Sequence, residues 1–243
     1  FLIALKSKGE TSLEVGALVD QMYEHCAPIT IKERAVDTVG TGGDGAHTIN
    51  ISTTAAIIAA AAGVKVPMIA GRGLGFTGGT VDKIEAVEGF KTALSLKEFQ
   101  DLLNKNGLVL IGQTPDIAPA DRKIYALRDV TATIDSIPLI TASIMSKKLA
   151  EGANGMVFDI KYGSGAFMKD KKDAKALAKS LIATGKRFKK KGVALITDMN
   201  QPLGQAVGHS HELIESIETL KGNGPEDLTE LSLELAAYMV LLA

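Results

Sequence analysis

The chain has 243 residues, 46% of them hydrophobic and 23% charged, with a formal net charge of −1. That mix excludes a disordered segment. The near-zero charge excludes a general field for nucleic acid or an anionic membrane, so any anion must be held by a local site. Trp is absent and the four Tyr and seven Phe are scattered, which leaves no stacking platform for single strands. A lone cysteine, Cys26, cannot form an internal disulfide and fits a reducing cytoplasm. The length allows one substantial core, or a large domain with a smaller helical companion.

The apolar opening, Phe1 to Leu5, is interrupted by Lys6 and Lys8, is too short to span a bilayer, and reads as the end of a helix. Thr11 with Glu14 makes a capping-box pattern ahead of Leu13, Val15, Leu18, Val19 and Met22, a helix ending near Cys26. From Arg34 the pattern turns strand-like and runs into the glycine loop at 40–45. A small-residue helix over 53–62 closes at Gly63, and a short apolar strand over 64–69 enters a second glycine cluster at 71–79.

Helix and strand then alternate: helix 96–105, strand 108–111, helices 118–128 and 138–150, strand 155–161, a basic-faced helix 171–191 and strand 193–197. The basic run 186–191 reads as a solvated helix end. Residues 231–243 are apolar at helical spacing, and neither terminus has a polar close, as cut ends would look. Apolar strands separated by helices predict an α/β fold, a mostly parallel sheet flanked by helices. Residues 1–30 and 115–150 are helical with no strand between them. They predict a smaller all-helical lobe, with 31–114 and 151–243 forming the α/β phosphate-binding domain.

Gly40, Thr41, Gly42, Gly43 and Asp44 lie between a strand and a helix whose mouth carries Asn50, Ser52 and Thr53. Glycines let the backbone turn its amides toward an anion, and the helix adds the positive end of its dipole. A tight turn before a capped helix needs fewer glycines and hydroxyls than this, so the loop reads as a phosphate site. It has neither the spacing of a dinucleotide fingerprint nor the Gly-Lys-Ser/Thr of a P-loop. Asp44 faces either the loop backbone or a cation such as Mg²⁺ on a pyrophosphate, and metal use stays open. Further on, Ser143 and Lys147 are four apart on one helical face, with Arg128 on the helix before. Arg, Ser and Lys together suit the alternating carbonyls and N–H groups of a pyrimidine, although the same residues also read as ordinary surface side chains.

The chain resembles known families in two parts. Residues 1 to about 65, with Phe-Leu-Ile-Ala-Leu-Lys-Ser-Lys-Gly-Glu-Thr and Val-Gly-Thr-Gly-Gly-Asp-Gly-Ala-His-Thr-Ile-Asn-Ile-Ser-Thr, resemble anthranilate phosphoribosyltransferase. From about 66 onward the chain is similar to thymidine and pyrimidine nucleoside phosphorylases. The motifs that carry this are Ala-Gly-Arg-Gly-Leu-Gly-Phe-Thr-Gly-Gly-Thr-Val-Asp-Lys-Ile-Glu, Tyr-Ala-Leu-Arg-Asp-Val-Thr-Ala-Thr, Ser-Ile-Pro-Leu-Ile-Thr-Ala-Ser-Ile-Met-Ser-Lys-Lys and Thr-Asp-Met-Asn-Gln-Pro-Leu-Gly.

The resemblance implies a helical lobe facing a larger α/β domain with the active site in the cleft between. It implies a base site of Arg128, Ser143 and Lys147, with Tyr125 and Leu74 nearby and Ile140 and Ile144 as apolar walls. Arg128 and Lys147 would stabilise charge on the departing base, and Ser52 and Thr80 match phosphate-binding positions. The implied reaction is phosphorolysis of a pyrimidine nucleoside to base and pentose 1-phosphate. Phosphate is the co-substrate, no cofactor is required, and the assembly is a homodimer through the helical lobe.

The phosphorylase pattern has Lys-His-Ser where this chain has Thr38, Val39 and Gly40, Ser at Ala70 and His at Phe76, so turnover is expected to be weak. The phosphoribosyltransferase pattern has a Lys-His-Gly-Asn-Arg segment where Ile69 to Arg72 stand here, and a later acidic metal-binding pair without a counterpart. An anthranilate-type transfer from phosphoribosyl pyrophosphate, using Mg²⁺, is the alternative expectation. A folded phosphate-binding scaffold that turns nothing over is the third.

Overall fold

A computed structural model describes residues 1–41, 51–73, 78–114 and 117–243, with Asp129 described by its backbone alone. The predicted α/β architecture is present, with every strand pairing parallel. Strands β1 (Val36–Gly40), β4 (Gly155–Tyr162) and β5 (Lys191–Asp198) form one ladder in the order β1-β4-β5. Strands β2 (Val66–Ala70) and β3 (Leu108–Gly112) form a second. A single bridge, Ala35 with Lys65, stitches the two ladders. The spatial order is therefore β3-β2-β1-β4-β5, in which the winding reverses between β1 and β4. In doubly wound sheets, ligands bind at the carboxyl ends of the strands beside such a reversal.

Strand alternation assigns the two faces. Val36, Val66, Met68 and Val157 point to the side covered by α3 (Ile51–Ala61) and α10 (Glu226–Leu242), where Ala55, Ala56, Ala59, Leu228, Leu235 and Met239 close the layer. The alanines bring α3 close to the strands. On the opposite face Met156, Phe158 and Ile160 pack against α7 (Ile137–Ala150) and α8 (Lys171–Arg187). There Ile69, Val109 and Ile111 meet Phe99 and Leu103 of α5 (Leu96–Asn106). Each fully buried large apolar side chain contributes about 1.5–3 kcal/mol.

Around α7 gather α2 (Ser12–Glu24), whose Val19 and Met22 enter the same core cluster, and α6 (Pro119–Val130). The capping box of Thr11 and Glu14 forms as the sequence predicts. Helix α1 (Leu2–Lys8) is tied on through Lys6, whose ammonium donates to Ala132 O at 2.7 Å and pairs with Asp135 at 2.6 Å.

Two elements escape the sequence reading, α4 (Thr80–Ile84) and α9 (His209–Leu220). The helix expected over 171–191 stops at Arg187, so the basic run is not one solvated helix end. Phe188 stands edge-on to Tyr23 at 5.9 Å, Lys189 takes φ 57°, and Lys191 already pairs with Gly155 in β5. Tertiary packing of Phe188 and the sheet register override a local pattern that reads helical throughout. No helix among the described residues is long and apolar enough to cross a membrane.

Candidate active site

The carboxyl ends of β1, β2 and β4 open into a cleft roofed by α6 and α7, with about 180 Å³ of interior space. Its floor is the end of β1. Gly40 N–H donates to Ser52 Oγ at 3.2 Å, Thr41 N–H donates to Asp159 O at 2.9 Å, and Thr41 Oγ1 accepts from Lys161 N–H at 3.2 Å. The first bond ties the end of β1 to the first turn of α3, and the other two tie it to β4. The positive end of the α3 dipole therefore faces the cleft. Gly40, Thr41, Ser52 and Thr80 line it. Thr53 is buried but is not among the lining residues. Gly42, Gly43, Asp44, Asn50, Leu74 and Phe76 lie outside the described residues.

The roof follows from helical spacing. On α6, Asp121, Tyr125 and Arg128 fall at i, i+4 and i+7, one face. On α7, Ile140, Ser143, Ile144 and Lys147 fall at i, i+3, i+4 and i+7. All but Asp121 line the cleft. Lys147 Nζ donates to Ser143 Oγ at 2.8 Å and pairs with Asp121 Oδ2 at 2.7 Å, and Gln113 at the end of β3 holds the same oxygen. Burial pulls the Lys147 ammonium below its ordinary value, and Asp121 opposes that pull.

Arg128 is 2% exposed and meets no carboxylate within salt-bridge distance among the described residues. Its guanidinium donates instead to three carbonyls of the turn after α6 and of α7: Thr133 at 3.4 Å, Leu139 at 3.5 Å, and Ile134. Desolvation pulls it below the usual arginine value, with Tyr125, Asp121 and Asp135 opposing. The Tyr125 ring sits between the two cations, 5.8 Å from Arg128 and 5.4 Å from Lys147. Its hydroxyl donates to Arg72 O at 3.0 Å. The roof thus presents two cations, a hydroxyl and two isoleucines, a set suited to a planar, electron-rich ring.

Sequence reasoning missed the charges that frame this arrangement. Lys161 pairs with Asp159 at 2.8 Å at the end of β4, and Lys83 pairs with Glu212 across α4 and α9. Lys148 and Asp121 are also absent from the predicted site. For Asp121 the signal was available, since an acidic residue shares the helical face of Tyr125 and Arg128. For Lys161 the ion-pair partner sits two residues back on β4, a local signal, whereas for Lys148 the partner Asp37 comes from an element far off in the chain. Gly79, by contrast, sits where any Cβ would overlap the backbone of Arg72 and Gly73, so close backbone packing requires this glycine of the second cluster. Thr38 lines the cleft, is 1% exposed, and its hydroxyl oxygen has no hydrogen-bond partner among the described residues.

A parallel doubly wound sheet with a cationic cleft at its winding reversal defines a class, and the chain belongs to the glycosyl transferase family by its α/β domain, which matches residues 32–243. Among its relatives are the pyrimidine-nucleoside phosphorylases of Geobacillus stearothermophilus and Staphylococcus epidermidis. Each is 53% identical over 208 residues, covering 86% of this chain and 47% of the relative. The chain therefore spans about half the length of the curated relatives it matches. That alignment is longer than the stretch from 66 to 243, so the phosphorylase likeness begins upstream of residue 66.

Anthranilate phosphoribosyltransferase from Thermus thermophilus superposes with a TM-score of 0.78 at 20% identity, covering all of this chain and 78% of that one. The Saccharomyces cerevisiae enzyme, solved with PRPP and Mg, gives 0.56 at 18% identity over 76% of this chain and 47% of that one. These structural likenesses speak for the fold. The first of them extends well beyond the N-terminal 65 residues in which the sequence resembles that family.

Proposed function

We propose that this chain catalyses pentosyl transfer of the pyrimidine-nucleoside phosphorylase type. A phosphate oxygen forms a bond to the anomeric carbon as the glycosidic C–N bond breaks, and the bonding pair leaves with the base. The observation that carries the reading is the Lys147–Ser143 hydrogen bond beside a buried Arg128 that meets no carboxylate among the described residues, above the end of β1. In this reading Arg128, Ser143 and Lys147 hold the base, with Tyr125 beside it and Ile140 and Ile144 as walls. Arg128 and Lys147 stabilise negative charge on the departing ring, a gain made only as the bond breaks. Gly40, Thr41, Ser52 and Thr80 hold phosphate together with the loop beyond Thr41. Residues 1–30 and 115–150 form the helical lobe that carries the base ligands, and 31–114 with 151–243 form the domain that carries phosphate.

The reaction needs phosphate as co-substrate and no cofactor. We place the protein in the cytoplasm, as its lone Cys26 suits, and as a homodimer through the helical lobe. Ile3 of α1 and Leu127 and Val130 of α6 expose apolar surface that such a contact would cover.

A second reading is transfer from phosphoribosyl pyrophosphate to an amine. It is favoured by the Thr38 hydroxyl at a position where the phosphorylase pattern has lysine. Mg²⁺ would then neutralise the pyrophosphate. Among the described residues no three His, Cys, Asp or Glu gather to hold such an ion, and Asp44 lies outside them.

Thermal shifts separate the readings, because a ligand that binds only the folded state raises the midpoint. Thymine and phosphate each stabilise the protein if the first reading holds. Phosphoribosyl pyrophosphate stabilising only with Mg²⁺, and thymine not at all, overturns it in favour of the second. Phosphate alone leaves a non-catalytic scaffold. Product analysis with a pool of nucleosides and phosphate is expected to show slow release of pyrimidine base, and robust turnover of thymidine would contradict the weakness expected from Thr38.

A further inference from the structure

After the single Ala35–Lys65 bridge, strands β1 and β2 part, and the carboxyl ends that line the cleft lie on either side of the gap. Backbone groups in such a gap still need partners. The last turn of α7 supplies them. Ile69 N–H of β2 donates to Glu151 Oε2 at 3.1 Å, and Ile69 O accepts from Lys148 Nζ at 3.3 Å. The same ammonium pairs with Asp37 of β1, and with Glu151 Oε2 at 3.2 Å. Asp37, Lys148 and Glu151 are at most 1% exposed. A side-chain clamp from one helix replaces a ladder between two strands.

The charges do not balance if both carboxyls are ionised, since two anions would face one ammonium with no water to screen them. Two oxygens of the cluster, Asp37 Oδ1 and Glu151 Oε1, are buried and have no hydrogen-bond partner among the described residues. One proton removes both faults. We propose that Glu151 is a neutral acid whose O–H is shared with Asp37. With Lys148, the pair then forms a clamp that fixes α7, and so Ser143 and Lys147, against the phosphate-loop strand. One negative charge is left on the two carboxyls to face the ammonium. Burial and the neighbouring Asp37 also hold the Glu151 carboxyl well above the usual range. The charged groups that bear on it are Asp37 on β1, Lys148 on its own helix, and Lys190 in the turn between α8 and β5. The segment before β1 closes the site from outside, with Ile29 N–H on Ala150 O at 2.7 Å. Glu151 and Lys148 are thus positioning residues, and their assignment to base placement rests on the function proposed above.

The sign of the pH dependence follows from linkage. A carboxyl held protonated in the folded state binds a proton that the unfolded chain releases near 4.5, so stability falls as pH rises from 4.5 toward the folded value. Glu151→Gln keeps the acceptor for Ile69 and Lys148 and offers an N–H to Asp37, yet it cannot titrate. Melting temperature is to be measured against pH for both proteins, with difference infrared spectroscopy of the wild type for the carbonyl stretch of a buried neutral acid.

The clamp predicts a melting temperature that falls with rising pH in the wild type. It predicts a shallower fall in Glu151→Gln, and a neutral-acid band in the wild type that the variant lacks. Equal slopes, no band, or a Glu151→Gln protein that fails to fold would each overturn it. For positioning, the wild type's KM for nucleoside should rise at alkaline pH more than the variant's. The stability and infrared readings need no substrate. Their failure sinks the clamp, and absence of turnover with those readings intact sinks only the transferase reading.

Discussion

Two buried cations in the roof are held by opposite means. Lys147 has a carboxylate partner, Asp121, while Arg128 spreads its donors over carbonyl oxygens. An arginine can be treated this way because its guanidinium stays charged in most environments, whereas a buried lysine gives up its proton readily. Asp121 therefore favours the charged form of Lys147 against the pull of burial. Replacing it, Asp121→Asn, lets burial pull the ammonium further down, so the alkaline limb of the pH–rate profile should move to lower pH. Breaking a buried pair by removing one partner costs about 3–5 kcal/mol, so the melting temperature should fall as well. A profile measured from neutral to alkaline pH checks the first outcome, and an unmoved limb would remove Asp121 from that role.

The elements that carry the cleft differ in what makes them helical. Helix α5 is built from local signals, with Ser95 and Glu98 in a capping box and Gly107 closing it at φ 75°. Ser95→Ala should cost about 1 kcal/mol of stability. It should leave turnover per folded molecule unchanged, because α5 only backs β2 and β3. Urea denaturation alongside an activity assay tests both halves. Helix α7 has almost no polar face. Every residue from Leu139 to Ala150 is buried, including Lys147 and Lys148, and Pro138 stands in its first turn. Gly152, at φ 82°, ends it where a Cβ would strike Ile29 O. Substitutions along α7 should therefore act on stability and ligand binding together, unlike those in α5.

At the scale of the molecule, part of the exposed apolar surface lies on α1 and α6. Ile3 is 60%, Leu127 52% and Val130 79% exposed, with α6 packed on α7 and α1 held to the turn after α6 through Lys6. A homodimer through this surface would stiffen the roof from outside. Leu127→Glu with Val130→Glu should shift sedimentation toward monomer and weaken nucleoside binding more than phosphate binding, since the floor is built from the sheet. A monomeric wild type would refute that contact.

Much of this was legible in the sequence because it depends on neighbours along the chain. Periodicity gave the alternation of strands and helices, glycine spacing marked the loop, and the i, i+4 pair of Ser143 and Lys147 forms the hydrogen bond that its spacing allows. The motifs pointed to the phosphorylases. What needed the fold are relations between segments far apart in the chain. Asp37 meets Lys148 across 111 positions, Ile69 meets Glu151 across 82, and Lys161 faces Thr41 across 120. The end of α8 belongs with them, since Phe188 on Tyr23 and Lys191 in the sheet outvote a continuous helical pattern. Local physics sets which elements can form. Whether a buried charge is tolerated depends on a partner brought from elsewhere, and only the packed chain supplies it.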